Sequence, residues 1–241
     1  MTRAPAYPAS EGDRREIDVL GLRLPWRATL AIVVVTLVVL ADHSRSFLPD
    51  ALDSLGRTPP VLLITAIERL LLFGSVPLAV VILVFRERPS RYGLAIGDWT
   101  AGLGLTLVGC VAMTPLVLWF ATLADVQAYY APGNAPLPGL LISNAIDLAS
   151  AEFLFRGFLT FTLLRAIGPV GVLVATMPFI YSHFGKPELE LYSTLAGGLV
   201  YGWLAWRTRS ILWGTIGHIY ILTLVIVAAA AAAAAPLPAP A

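Results

Sequence analysis

Residues 138–164 read PGLLISNAIDLASAEFLFRGFLTFTLL, an apolar run whose only ionisable side chains are Asp147, Glu152 and Arg156. A membrane-crossing helix needs about 20 mostly apolar residues, so this run is long enough to span a bilayer. The chain around it has the same character. Of its 241 residues 58% are hydrophobic and 13% charged, and the mean hydropathy is +0.80. The charged share is about half that of an ordinary soluble domain, too little polar surface to cover a water-soluble globule. The composition therefore predicts an all-α polytopic transmembrane helix bundle.

Working outward, seven apolar spans are expected. They cover about 22–41 (with ATLAIVVVTLVVLA at its centre and Trp26 at its edge), 60–85, 101–124, 138–164, 168–184, 191–207 and 210–233. The fifth and sixth are short, which implies tilt or an interrupted end. Residues 1–21 form a polar N-terminal segment with no early apolar core, unlike a secretory signal, so the first span is expected to remain uncleaved. A single transmembrane domain then covers 22–233, and 234–241 is a Pro/Ala tail. The alanine tract Ala228–Ala235 favours extension of the last helix, and the prolines after it end that helix.

Short-loop cations set the expected orientation. Arg3, Arg14, Arg15, Arg23 and Arg27, then Arg86, Arg88 and Arg91, Arg165, and Arg207 and Arg209 fall on one side. Only Arg45, Arg57 and Lys186 fall on the other, so the N-terminus is expected in the cytoplasm. The net charge of +1 and the lack of a basic stripe exclude a nucleic-acid partner. The single cysteine, Cys110, excludes an intrachain disulfide, a cysteine zinc site and a redox pair.

An ionisable group at membrane depth costs about 2.5–3.5 kcal/mol even on insertion scales, so each one asks for a reason. Glu152 and Arg156 stand four apart on one helix face and can pair. Glu68 and Arg69 are adjacent, diverge by about 100°, and are read as partners for other helices or as snorkelling groups. His43 falls in a loop and is read as solvated. His183 closes the fifth span in FIYSHFGKPE, and His218 lies inside the seventh in WGTIGHIYIL. One buried carboxylate with two imidazoles can hold and activate a water, or can ligate zinc; it can also be a structural set. Other intramembrane protease chemistries lack their motifs. There is no HExxH, AIGD at 95–98 lacks the first glycine of GxGD, and Gly74 and Ser75 are not followed by a GxSG pattern.

AEFLFR (151–156) followed by GFL, FIYSH (179–183) and His218 resemble, in order and on separate helices, the motifs of the CAAX protease and bacteriocin-processing (ABI) family of intramembrane proteases. HFGKPELE and GGLVYGWLAWRTRSI extend the similarity, which covers about 140–225. The resemblance implies an active-site cavity among the last four helices and an endopeptidase acting on a membrane-associated or prenyl/CAAX-like substrate. It assigns Glu152, Arg156, His183 and His218 to the site. Glu152 would take a proton from a water oriented by His183, His218 would polarise the carbonyl or help position the water, and Arg156 would pair with a carboxylate. Either no cofactor is needed, or zinc is held by His183, His218 and Glu152.

The sequence departs from the family pattern twice: Ala151 stands where the first Glu of EExxxR is expected, and Leu222 where Asn or Asp is common. Three readings follow. Glu152 is itself the base; Asp147 or Glu190 substitutes for the missing carboxylate; or the site is degenerate and the protein is a non-catalytic membrane scaffold or regulator. The partners implied are a peptide or protein substrate in the membrane and the lipid bilayer, in a bacterial inner membrane.

Overall fold

The first membrane helix starts later than the hydropathy suggests, because the chain reverses direction ahead of it. The computed structural model describes residues 7–44 and 55–235. In it a one-turn helix, α1 (Glu11–Arg14), precedes a hairpin of β1 (Glu16–Val19) and β2 (Leu22–Pro25), paired antiparallel with Glu16 opposite Pro25. Leu20 and Gly21 both take positive φ, as a two-residue hairpin turn of the primed type requires. Residues 22–25, read as the start of a span, are therefore strand.

Seven long helical bodies follow: α2 (Trp26–Ser44), α3 (Pro59–Val84), α4 (Trp99–Phe120), α6 (Leu137–Ile167), α7 (Val170–Tyr181), α8 (Glu188–Thr208) and α9 (Leu212–Ala234). A short α5 (Ala124–Tyr130) lies between α4 and α6. Five of these, α2, α3, α4, α6 and α9, are long and apolar enough to cross a membrane. The protein is an all-α polytopic bundle. The fifth expected span is the 12-residue α7, whereas the sixth, α8, is longer than expected at 21 residues. Arg3, Arg45 and residues 236–241 of the tail lie outside the described residues.

Local chemistry fixes the ends. Pro59 and Pro60 begin α3, where a missing N–H is harmless. The Asp98 carboxylate accepts the Ala101 N–H (3.1 Å) and caps α4. Arg209, in the left-handed region at φ 56°, ends α8. Within α6, residues Phe153–Thr160 form a π-helical stretch, wider than the α-helical turns on either side. Thr160 Oγ1 donates to the carbonyl of Phe155, five residues back (2.7 Å). α8 approaches α7 closely through small residues: a methyl on Gly202 would lie 2.7 Å from Val172 Cγ1.

The bundle has two unlike ends. At the arginine-rich end, Asp13 of α1 is buried against Arg27 (3.0 Å) and Arg165 (3.3 Å). Glu87 meets Arg27 (2.9 Å), Arg91 and the Tyr92 hydroxyl (2.6 Å). Burial disfavours the Asp13 anion. The Ser10 amide, the charge of Arg165, the Ser10 hydroxyl and Arg27 outweigh it and hold the carboxyl at about 2. The opposite end contains the cavity.

Candidate active site

α6 presents successive residues to different surroundings, because neighbours on a helix diverge by about 100°. Asp147 and Ala151, one turn apart, line a cavity of about 360 Å³. Glu152 does not line it. It is fully buried behind that wall, with Oε1 accepting from His218 Nδ1 (2.9 Å) and lying 3.4 Å from Arg156 Nη1. Among the described residues its Oε2 has no hydrogen-bond partner. The expected i,i+4 pair of Glu152 and Arg156 is thus present, but the carboxylate stands one layer back from the space a substrate would occupy.

His218, on α9, bridges the two layers. It lines the cavity and also reaches Glu152. Its ring stacks on Tyr201 of α8 (centroids 5.1 Å apart, 18° between planes). His183, just beyond α7, lines the same cavity; its Nδ1 is 2.9 Å from the carbonyl oxygen of Phe179, one turn back. Carbonyl and carboxylate oxygens only accept, so Nδ1 carries the hydrogen in both rings. In the neutral form each imidazole then keeps its Nε2 lone pair. Phe179 is the hub between them. Its ring lies 4.4 Å from His183, 6.4 Å from His218 and 3.6 Å beneath the guanidinium carbon of Arg156. Arg156, only 2% exposed, is held by that ring face and by Glu152.

The other expected carboxylates are both at the cavity. Asp147 accepts from Arg69 (3.1 Å), which also donates to Asp42 of α2 (2.8 Å). Glu190 accepts from the Tyr130 hydroxyl (2.6 Å) and from Lys186 (2.9 Å). Leu222 lines the wall as well. Asn144 stands near it, its amide donating to Thr223 (3.0 Å) and tying α6 to α9.

Two expectations need correction. The cavity is not confined to the last four helices: Asp42 and His43 of α2, and Thr65 and Arg69 of α3, also line it. Arg69 on α3 requires carboxylates, and the two it takes, on α2 and α6, bring those helices to the cavity. His43 is exposed, as expected, but it is not a loop residue. It belongs to the last turn of α2 and packs against Tyr181 (ring centroids 5.3 Å), so all three histidines of the chain face one cavity. Its position was hidden in the sequence because the apolar run ends before Asp42.

Zinc does not fit these residues. Among the described residues no three of His, Cys, Asp and Glu come together as a group able to hold a metal ion. Glu152 is committed to His218 and Arg156. The set consists of a carboxylate behind one imidazole, a second imidazole, and a polar cavity in front of both.

The fold is that of an integral membrane helix bundle, with a buried carboxylate–imidazole set behind the wall of its cavity. Residues 133–224 match the family model described as Rce1-like, type II CAAX prenyl endopeptidase. That segment contains Ala151, Glu152, Arg156, His183 and His218, so the match falls on the same part of the chain as the resemblance to the CAAX protease family. No curated protein and no solved structure matches the chain.

Proposed function

We propose that the protein is an intramembrane endopeptidase that hydrolyses a peptide bond of a membrane-associated or prenyl/CAAX-like substrate by activating water without a metal. The observation that carries this reading is the Glu152–His218 hydrogen bond with His218 at the cavity wall. His218 Nε2 takes the proton from water as its oxygen attacks the scissile carbonyl, and Glu152 stabilises the imidazolium that results. His183 Nε2 accepts the second hydrogen of that water and orients it. Arg156 offsets the Glu152 charge. The proton on His218 then passes to the leaving amine. Glu152 thus orients and supports the base rather than meeting the water directly.

A second reading is favoured by one observation: Ala151, where the family pattern has its first Glu, faces the cavity. A site lacking that carboxylate suits a scaffold or regulator that binds a membrane peptide without cutting it. The arginine bias of the loops supports reading the N-terminus as cytoplasmic and the cavity as extracytoplasmic, in what we take to be a bacterial inner membrane.

Comparing peptide termini in membranes and medium from cells that carry the native chain, His183→Ala or His218→Gln tests both. New termini made by the native chain and absent from both variants, at equal protein abundance, support the protease. Identical termini in all three move the assignment to the binding role.

A further inference from the structure

The cations of the cavity are not equally satisfied. Arg69 is saturated, with Nε, Nη1 and Nη2 all donating to Asp42 or Asp147. Lys186 is neutralised by Glu190. Arg57, just before α3, is different. Its Nη1 donates to the Tyr129 hydroxyl (3.0 Å), and its guanidinium carbon lies 4.1 Å from the Tyr129 ring centroid and 5.7 Å from that of Tyr130. Among the described residues no carboxylate is within ion-pair distance of it, and its Nε is enclosed without an acceptor. The nearby Glu190 is occupied by Tyr130 and Lys186. The Thr65 hydroxyl on the same cavity is a second enclosed group with no partner.

A guanidinium braced on aromatic rings, partly withdrawn from water and lacking a counter-ion among the described residues, can receive an anion; its planar fork matches a carboxylate. We propose that Arg57, backed by Tyr129, binds a carboxylate carried by the peptide that enters the cavity and so sets which way that peptide lies. This rests on the cavity being a peptide site, as proposed above. Arg57 and Tyr129 lie outside residues 133–224, so this recognition would distinguish the chain by parts that the family match does not cover.

The test is binding, read apart from turnover. The full-length protein in phosphatidylcholine nanodiscs is titrated with three fluorescein-labelled, S-farnesylated probes: Gly-Cys-Val-Ile-Ala free acid, its C-terminal amide, and an amide carrying an internal Glu. One acidic probe is expected to bind about tenfold tighter than the neutral amide, and which one does identifies the source of the carboxylate. Arg57→Gln should remove that preference, Arg57→Lys should keep part of it, and the neutral amide should bind the native and variant proteins alike, which shows that the variants are folded. Equal affinity of all three probes for the native protein, or a preference unchanged in Arg57→Gln, overturns the proposal. Acid-selective binding without cleavage would leave the carboxylate site standing and remove the protease reading.

Discussion

At the scale of single residues, the site turns on which side of one helix a carboxylate occupies. EFLFR and FIYSH were legible because their spacing puts charges on one face and a histidine at a helix end. The sequence could not reveal that Ala151 lines the cavity while Glu152 lies behind it, because that depends on how α6 is rotated against α9. Glu152→Gln keeps an acceptor for His218 Nδ1 but leaves Arg156 charged, buried and unpaired. It is expected to cost about 3–5 kcal/mol of stability, as breaking a buried ion pair does. Thermal unfolding in detergent should show this, and Glu152→Gln with Arg156→Met should recover a large part of it. His218→Gln removes the base and leaves the Arg156 pair intact. It is expected to lower kcat by about 10²–10⁴-fold, measured on whichever substrate the terminal-peptide comparison supplies.

At the scale of elements, apolar length located seven helices to within a few residues at most ends. It failed at the first start, where the Leu20–Gly21 turn makes a hairpin of residues that hydropathy alone assigns to lipid. Hydropathy also could not anticipate that Asp13, in a polar segment, docks among Arg27, Arg91 and Arg165. Because its carboxyl is held at about 2 against an ordinary value of 3.8, Asp13 contributes stability that is complete above about pH 4. That stability is lost as the pH falls through about 2, and it amounts to about 2 kcal/mol. Limited proteolysis at Arg14 and Arg15 should therefore be slow and constant from pH 7 to 4 in the native protein. It should be fast at pH 7 in Asp13→Asn. Between α7 and α8, Gly202→Leu must push against Val172 and is expected to cost about 1–3 kcal/mol. It should also reduce activity, since those helices carry His183 and Glu190.

At the scale of the whole molecule, arginine-rich loops gather at one end and the polar cavity opens at the other. A cysteine placed at position 43, in a chain whose Cys110 is changed to Ser, reports the outcome directly. A membrane-impermeant maleimide added to spheroplasts should label it from outside. Labelling only after the cells are broken would reverse the proposed orientation. The sequence supplied the side assignments through its arginines. It did not supply the cavity's extent, because Asp42 and His43 of α2, Arg57 just before α3 and Arg69 of α3 belong to no recognisable motif, and α2 and α3 are tied to α6 there through Arg69.

The widened turn at Phe153–Thr160 joins these scales. Glu152 stands just before it, behind the cavity wall, and Arg165 just beyond it, at the opposite end with Asp13. The π stretch therefore sets the angular phase between the buried Glu152 carboxylate and the Asp13–Arg165 pair. Removing one residue from it would restore a regular helix and keep every motif intact. It would also swing Arg165 away from Asp13 while Glu152 stayed in place, so a one-residue length change in the middle of the membrane would be felt first at the N-terminus.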